Sequence, residues 1–288
     1  MLYLTRPEGL RLHVQDVGHG RPVVLLPGFG MTVSVWNSTV ALLATRCRVV
    51  ALDQRGHGCS DKPLSGYSID DLASDVHFVL DELDLRDVVL VGWSFGGQVA
   101  FLATADNPLG RIAKLVLVGS NGVSASRTDR FPFGATADAI QPAVVADELR
   151  CAPVARRSTI LSGFATPPPD PVIDWLVQCS LNMPTWSAVE CYDTMLRTEL
   201  VDRIPDVTVP VLQIIGSADP VHSSRGALWL TEQLPDATLH TIPECGHYPM
   251  LERPDPFHSQ LTEFVENAES VVPDSVAPDS TSNDEAFT

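Results

Sequence analysis

The pentapeptide Gly92-Trp93-Ser94-Phe95-Gly96 constrains this chain more than any other feature, because it joins the apolar run Val88 to Val91 to a helical stretch from Gly97 to Ala105. A serine in a tight strand-to-helix turn is forced into a strained backbone, so its neighbours two before and two after must lack bulky side chains. Gly92 and Gly96 meet that requirement. The turn lifts the Ser94 hydroxyl above the end of a sheet, where a nucleophile is needed.

The rest of the chain is organised as such a turn requires. Short β-branched runs, Val23 to Leu26, Val49 to Leu52, Val88 to Val91, Leu115 to Val118, Val211 to Ile215 and Thr238 to Ile242, alternate with helical patterns. The expected fold is therefore α/β, a mostly parallel sheet with helices on both faces. Ser68 and Asp71 resemble a capping box, and Leu72, Val76, Val79, Leu80 and Leu83 then recur at helical spacing, which predicts a core-packing helix. From Gly122 to Arg203 strand-like runs cease and prolines multiply, which predicts a helical cap broken by prolines, at residues 122–203, inserted in a core of residues 1–121 and 204–268. Residues 269–288 hold five acidic and no basic side chains with much Ser and Pro, the composition of a disordered tail.

Charge and composition exclude several classes. The formal charge of −17 repels phosphate backbones and anionic membranes, so neither nucleic acid nor membrane is an expected partner. No apolar run reaches the ~18 residues of a membrane span, and the first residues lack a signal peptide's pattern, so a cytoplasmic location is expected. The six cysteines are scattered, without zinc-ligand spacing, and read as reduced thiols. The expected partner is a small-molecule substrate, with a homodimer left open.

A serine hydroxyl becomes a useful nucleophile only when a base takes its proton and an acid orients that base. Asp219 follows the apolar strand Leu212 to Ile215 and a small-residue loop, and His247 follows the strand Thr238 to Ile242 within Gly246-His247-Tyr248. Both thus fall at C-terminal ends of strands, as Ser94 does, the edge where open α/β sheets bind ligands. The order Ser94, Asp219, His247 is the one this type of elbow employs. His222 is the nearby rival base, but three residues from Asp219 is too close for the required geometry, so a structural or surface role is expected for it. Donors for the developing oxyanion are expected from the backbone N–H of Phe95, directly after the nucleophile, and of Phe29, in the turn Pro27-Gly28-Phe29-Gly30.

These motifs, together with the Asp53 to Ser60 segment (Asp-Gln-Arg-Gly-His-Gly-Cys-Ser), resemble the α/β-hydrolase superfamily from about residue 5 to residue 267. The tract from Val172 through Trp175, Cys191 and Asp202 to Pro210 is similar to the branch of cofactor-free haloperoxidases, arylesterases and lactonases. The resemblance implies no metal and no organic cofactor, and it assigns the Asp53 to Ser60 loop to turn structure beside the site. Two departures count. Pro27 stands where the family usually carries a histidine that braces the oxyanion loop, and Gly119-Ser120-Asn121 leaves no carboxylate after the strand Leu115 to Val118, an alternative acid position in some relatives, which favours Asp219.

Met31, Trp36, Trp93, Phe95, Phe133, Trp175, Met183, Trp186 and Tyr248 are candidates for an apolar pocket, with Phe29, Trp93 and Phe95 expected nearest the substrate. The expected activity is hydrolysis of a small, fairly apolar ester or lactone through an acyl-enzyme on Ser94. Alternatives are carbon–carbon hydrolysis of a ring-fission product, perhydrolysis of the haloperoxidase type, or a ligand receptor that retains the triad. Epoxide hydrolysis and dehalogenation are disfavoured because they need Asp where Ser94 stands.

Overall fold

The computed structural model describes residues 2–267, so the acidic segment 269–288 lies outside the described residues. Eight strands form one sheet: β1 (Leu2–Thr5), β2 (Arg11–Gly18), β3 (Pro22–Leu26), β4 (Arg48–Leu52), β5 (Val88–Trp93), β6 (Ile112–Val118), β7 (Val211–Gly216) and β8 (Ala237–Ile242), in the spatial order β1-β2-β4-β3-β5-β6-β7-β8. The pairs β1/β2 and β2/β4 are antiparallel and all others are parallel. The chain builds outward from β3 in one direction through β4 and in the other through β5. That reversal places a crevice at the C-terminal ends of β3 and β5, where open α/β sheets bind their ligands.

Period-two alternation divides each strand between two cores. Val24, Leu26, Val50, Leu52, Leu90 and Leu115 face one side and pack on α2 (Ile69–Glu82) and α3 (Phe95–Asp106). Val23, Leu25, Val49, Val89, Val91 and Val116 face the other, beneath α1 (Asn37–Leu43) and α9 (Pro254–Glu266). The α2 helix begins at the anticipated capping box, with the Ser68 Oγ accepting from the Asp71 N–H and the Asp71 carboxylate accepting from the Ser68 N–H. Burying the Leu72, Val76, Val79 and Leu80 side chains contributes about 1.5–3 kcal/mol each.

The edge strand β1 and its neighbour β2 are additions to the six strands legible in the sequence. Leu2 and Tyr3 are largely exposed, so β1 lacks the apolar density that marks the central strands.

Between β6 and β7 run α4 (Ala137–Gly163), α5 (Asp170–Ser180) and α6 (Thr185–Arg197). Pro142 lies within the first segment of α4, and Pro153 follows a break in that helix. The helix breaks at Cys151 (φ −164°, ψ 88°), which puts Pro153 in the first turn of its second segment. A first-turn N–H has no partner inside the helix, so proline is tolerated there. Ile160, Ile173 and Leu176 of these helices join the core that contains Trp93. After β8 come the short α8 (Pro249–Glu252) and α9; α7 (Ser224–Gln233) connects β7 to β8. Among the described residues no helix is long and apolar enough to cross a membrane, and all six cysteines are free thiols.

Candidate active site

Ser94 occupies the turn between β5 and α3 with φ 56° and ψ −122°. A side chain at positive φ carries strain of about 1–3 kcal/mol and persists only where its surroundings enforce it. The flanking glycines are what permit the turn. A Cβ on Gly92 would sit 2.3 Å from the Gly96 carbonyl oxygen, and one on Gly96 would sit 2.5 Å from the Pro27 oxygen. The Ser94 N–H donates to the Val118 carbonyl at 2.9 Å, which fastens the elbow to the end of β6.

Three loops bring the expected residues together. His247 Nε2 lies 2.9 Å from Ser94 Oγ, and His247 Nδ1 lies 3.0 Å from Asp219 Oδ2. With Asp219 ionised, Nδ1 carries the proton and Nε2 presents its lone pair to the hydroxyl, the tautomer a base requires. The second Asp219 oxygen accepts the N–H groups of Val221 (2.8 Å) and His222 (3.0 Å), which fixes the carboxylate plane. Burial on its own would raise the Asp219 carboxyl, but attraction to His247 and His222 and their hydrogen bonds hold it below the ordinary value. Gly119 (φ 48°) leaves room for this pair, since a Cβ there would lie 3.2 Å from His247 Nδ1. Ser94 and His247 are each only 6% exposed, so the reaction centre is largely shielded from water.

Phe95 is the first residue of α3, and its N–H therefore has no acceptor within the helix. Among the described residues the N–H of Phe29 has no partner either. Gly28 allows the Phe29 turn to approach the nucleophile, because a Cβ on it would stand 2.9 Å from Ser94 Cβ. The brace expected to be lost with Pro27 has substitutes. Gln54 Nε2 donates to the Pro27 carbonyl at 2.9 Å, and the Phe29 ring stacks on Tyr192 of α6 at 4.2 Å. The Arg156 guanidinium lies 5.8 Å from the centre of the same ring. Arg156 is itself fixed by a bidentate pair with Glu148 (2.8 and 2.7 Å) and by the Ser180 and Met183 carbonyls, all buried beneath α4–α6.

Glu252, which sequence reasoning passed over, organises the base loop. Its carboxylate accepts the N–H groups of Gly246, Tyr248 and Ala165 at 2.9–3.1 Å. The His247 N–H donates to the Gly163 carbonyl at the end of α4 (2.7 Å), and Phe164 stacks on Tyr248 at 4.3 Å. Burial pushes the Tyr248 phenol upward, so it stays protonated. Trp93, expected against the substrate, is 2% exposed, and its Nε1–H donates to the His247 carbonyl.

Other candidates lie elsewhere. Trp36 is fully buried against Phe257 in the α1/α9 core, Phe133 packs with Phe131 and Trp229, and Trp186 is exposed. His222 is not at the surface: it is 2% exposed and its ring stacks on His247. His57, wholly buried, has its pKa pushed down to about 4 by burial and stands edge-on to Phe29. Away from the triad, ligand atoms of His13, Asp53 and Cys59 lie within 4.8 Å of one another. Asp53 is already engaged there by the Val33 and Cys59 N–H groups and by His13, which fits the turn role expected of that loop.

Fold and site together define the class of protein. Residues 23–260 match the sequence model of the alpha/beta hydrolase family, and the chain belongs to that family. It is 31% identical to a non-heme chloroperoxidase from Streptomyces lividans, over 92% of this chain and 99% of that protein. It is also 31% identical to a pimeloyl-[acyl-carrier protein] methyl ester esterase from Nitrosomonas europaea, over 86% of this chain and 97% of the relative. Among solved structures, an esterase from Exiguobacterium antarcticum superposes with a TM-score of 0.89 at 27% identity, covering 92% of this chain and 99% of the other.

Proposed function

We propose that this chain hydrolyses small, fairly apolar carboxylic esters or lactones through an acyl-enzyme on Ser94. The observation that carries the proposal is the continuous hydrogen-bonded series Ser94 Oγ, His247, Asp219 at 2.9 and 3.0 Å, at the C-terminal ends of β5, β8 and β7. His247 takes the Ser94 proton as Oγ attacks the carbonyl carbon, while the Phe29 and Phe95 N–H groups receive the charge that develops on the carbonyl oxygen. Collapse of the tetrahedral species transfers that proton to the departing alcohol and leaves an acyl group on Ser94. His247 then removes a proton from water, and a second collapse releases the acid. Asp219 stabilises the imidazolium at each stage. The partly buried Phe29 ring suits a short apolar acyl chain, whereas the Phe95 side chain is fully buried in the α2/α3 core and contributes its N–H alone; the esterases among the similar proteins support ester bonds as the target.

A second reading is favoured by the chloroperoxidase relative. Hydrogen peroxide in place of water would release a peracid from the same acyl-enzyme. The test is steady-state hydrolysis of p-nitrophenyl esters of increasing acyl length and a lactone panel, with and without peroxide, for wild type and Ser94→Ala. Turnover that disappears in the variant is the expected result; equal rates in both would overturn the proposal. Peracid formation that exceeds hydrolysis would favour the second reading.

A further inference from the structure

Resting on the ester or lactone reading of Ser94, we infer that His222 is a substrate-binding residue, placed to hydrogen-bond a hydroxyl carried near the scissile carbonyl. The His222 ring lies nearly parallel to that of His247, with centres 5.6 Å apart and planes at 26°. It is 2% exposed, yet neither Nδ1 nor Nε2 has a hydrogen-bond partner. The Asp219 carboxylate does not serve the ring, because it receives His247 Nδ1 and the backbone N–H groups of Val221 and His222. Among the described residues several buried side chains leave one polar atom without a partner, but His222 is the one that leaves two, although an apolar residue of the same shape would fold more favourably there. An imidazole left in this state beside the base is therefore understandable as one half of a hydrogen bond completed by a ligand.

The chemistry of the ring specifies that ligand. Burial, reinforced by the neighbouring His247, holds the His222 pKa down to about 4, so at neutral pH the ring is uncharged and offers one donor and one acceptor. A hydroxyl can donate or accept and so matches whichever nitrogen faces it. A carboxylate is disfavoured by Asp219, and a plain alkyl chain leaves the nitrogen unpaired. Sites built to bond a hydroxyl discriminate strongly against analogues that lack it.

The test compares p-nitrophenyl butyrate with p-nitrophenyl 3-hydroxybutyrate. In wild type kcat/KM is expected to favour the hydroxy ester by about tenfold or more, carried mainly in KM, and in His222→Leu the ratio is expected to fall to about one. His222→Gln, which keeps a donor and an acceptor, should retain part of the preference. Affinities of both esters for Ser94→Ala and Ser94→Ala/His222→Leu, measured by calorimetry, separate the two proposals. A preference in binding that depends on His222 without turnover in wild type would sink the ester reading alone. Turnover with the same ratio in wild type and His222→Leu, or no preference in either assay, would overturn the inference and leave the ring as a packing group or the partner of a bound water. His222→Leu is expected to melt at or above the wild-type temperature, and a lower melting temperature with an unchanged ratio would also contradict the inference.

Discussion

The indole Nε1–H of Trp93 donates to the backbone carbonyl of His247 at 2.8 Å, so the residue before the nucleophile anchors the loop of the base. The ring centres of Trp93 and His247 are 5.5 Å apart, and Tyr248 packs on the same indole at 5.0 Å. The distance from Ser94 to His247 is thereby set by a bond between their two segments and does not depend on loop ends alone.

Trp93→Phe retains most of the ring packing and removes that bond. It leaves the His247 carbonyl buried without a donor, which costs about 1–3 kcal/mol. The expected outcome is a fall in kcat of about tenfold with KM little changed, measured on a short-chain ester.

Glu252 holds three backbone N–H groups around His247, those of Ala165, Gly246 and Tyr248. Glu252→Gln removes the charge and turns an amide NH2 toward donors. Charge-assisted bonds contribute about 1.5–3 kcal/mol, so a lower melting temperature and a kcat reduced by tenfold or more are expected. Calorimetry and steady-state kinetics on the purified variant check both.

The buried Arg156–Glu148 pair fixes the guanidinium over Phe29. Removing one partner strands a charge, which costs about 3–5 kcal/mol, whereas replacing both with apolar groups is often neutral. Arg156→Met is expected to destabilise strongly and Arg156→Met/Glu148→Leu to recover most of the loss in urea unfolding. The double variant should still show reduced kcat, because the Phe29 turn has lost one of its supports.

Much of this site was legible because its logic is local. The Ser94 elbow is encoded by Gly92 and Gly96 within five residues, and Asp219 and His247 are marked by the strands that end just before them. The missed residues act across the chain. Glu252 is recognisable only once its N–H donors at 165, 246 and 248 meet, Gln54 only once it reaches Pro27, and Arg156 only once α4 crosses Phe29. His222 looked too close to Asp219 to be a base, and the structure places it against the base itself. Strand β1 was missed because its exposed residues bury too little apolar surface to leave a pattern.

Stability should fall with acid in a defined window. His57 and His222 titrate near 6.5 when unfolded but at about 4 in the fold, each lowered chiefly by burial. Between those values the unfolded chain binds protons that the native state does not, so stability falls as pH drops from about 6.5 to about 4, by up to roughly 3 kcal/mol for each ring. His77 and His258 are shifted in the same direction by burial. The lowered Asp219 carboxyl adds stability that is lost only at still lower pH, as it protonates. Melting temperatures across this range should show the slope, and His222→Leu should flatten it.

The most direct measurement is intact-mass and peptide mapping after exposure to a fluorophosphonate, an electrophile that phosphonylates a serine activated by a neighbouring base. One adduct per chain located on Ser94, absent in Ser94→Ala and strongly slowed in His247→Gln, is the predicted result. No adduct on the wild-type protein, or labelling that continues unchanged when His247 is replaced, would contradict the assignment of Ser94 and His247 as nucleophile and base.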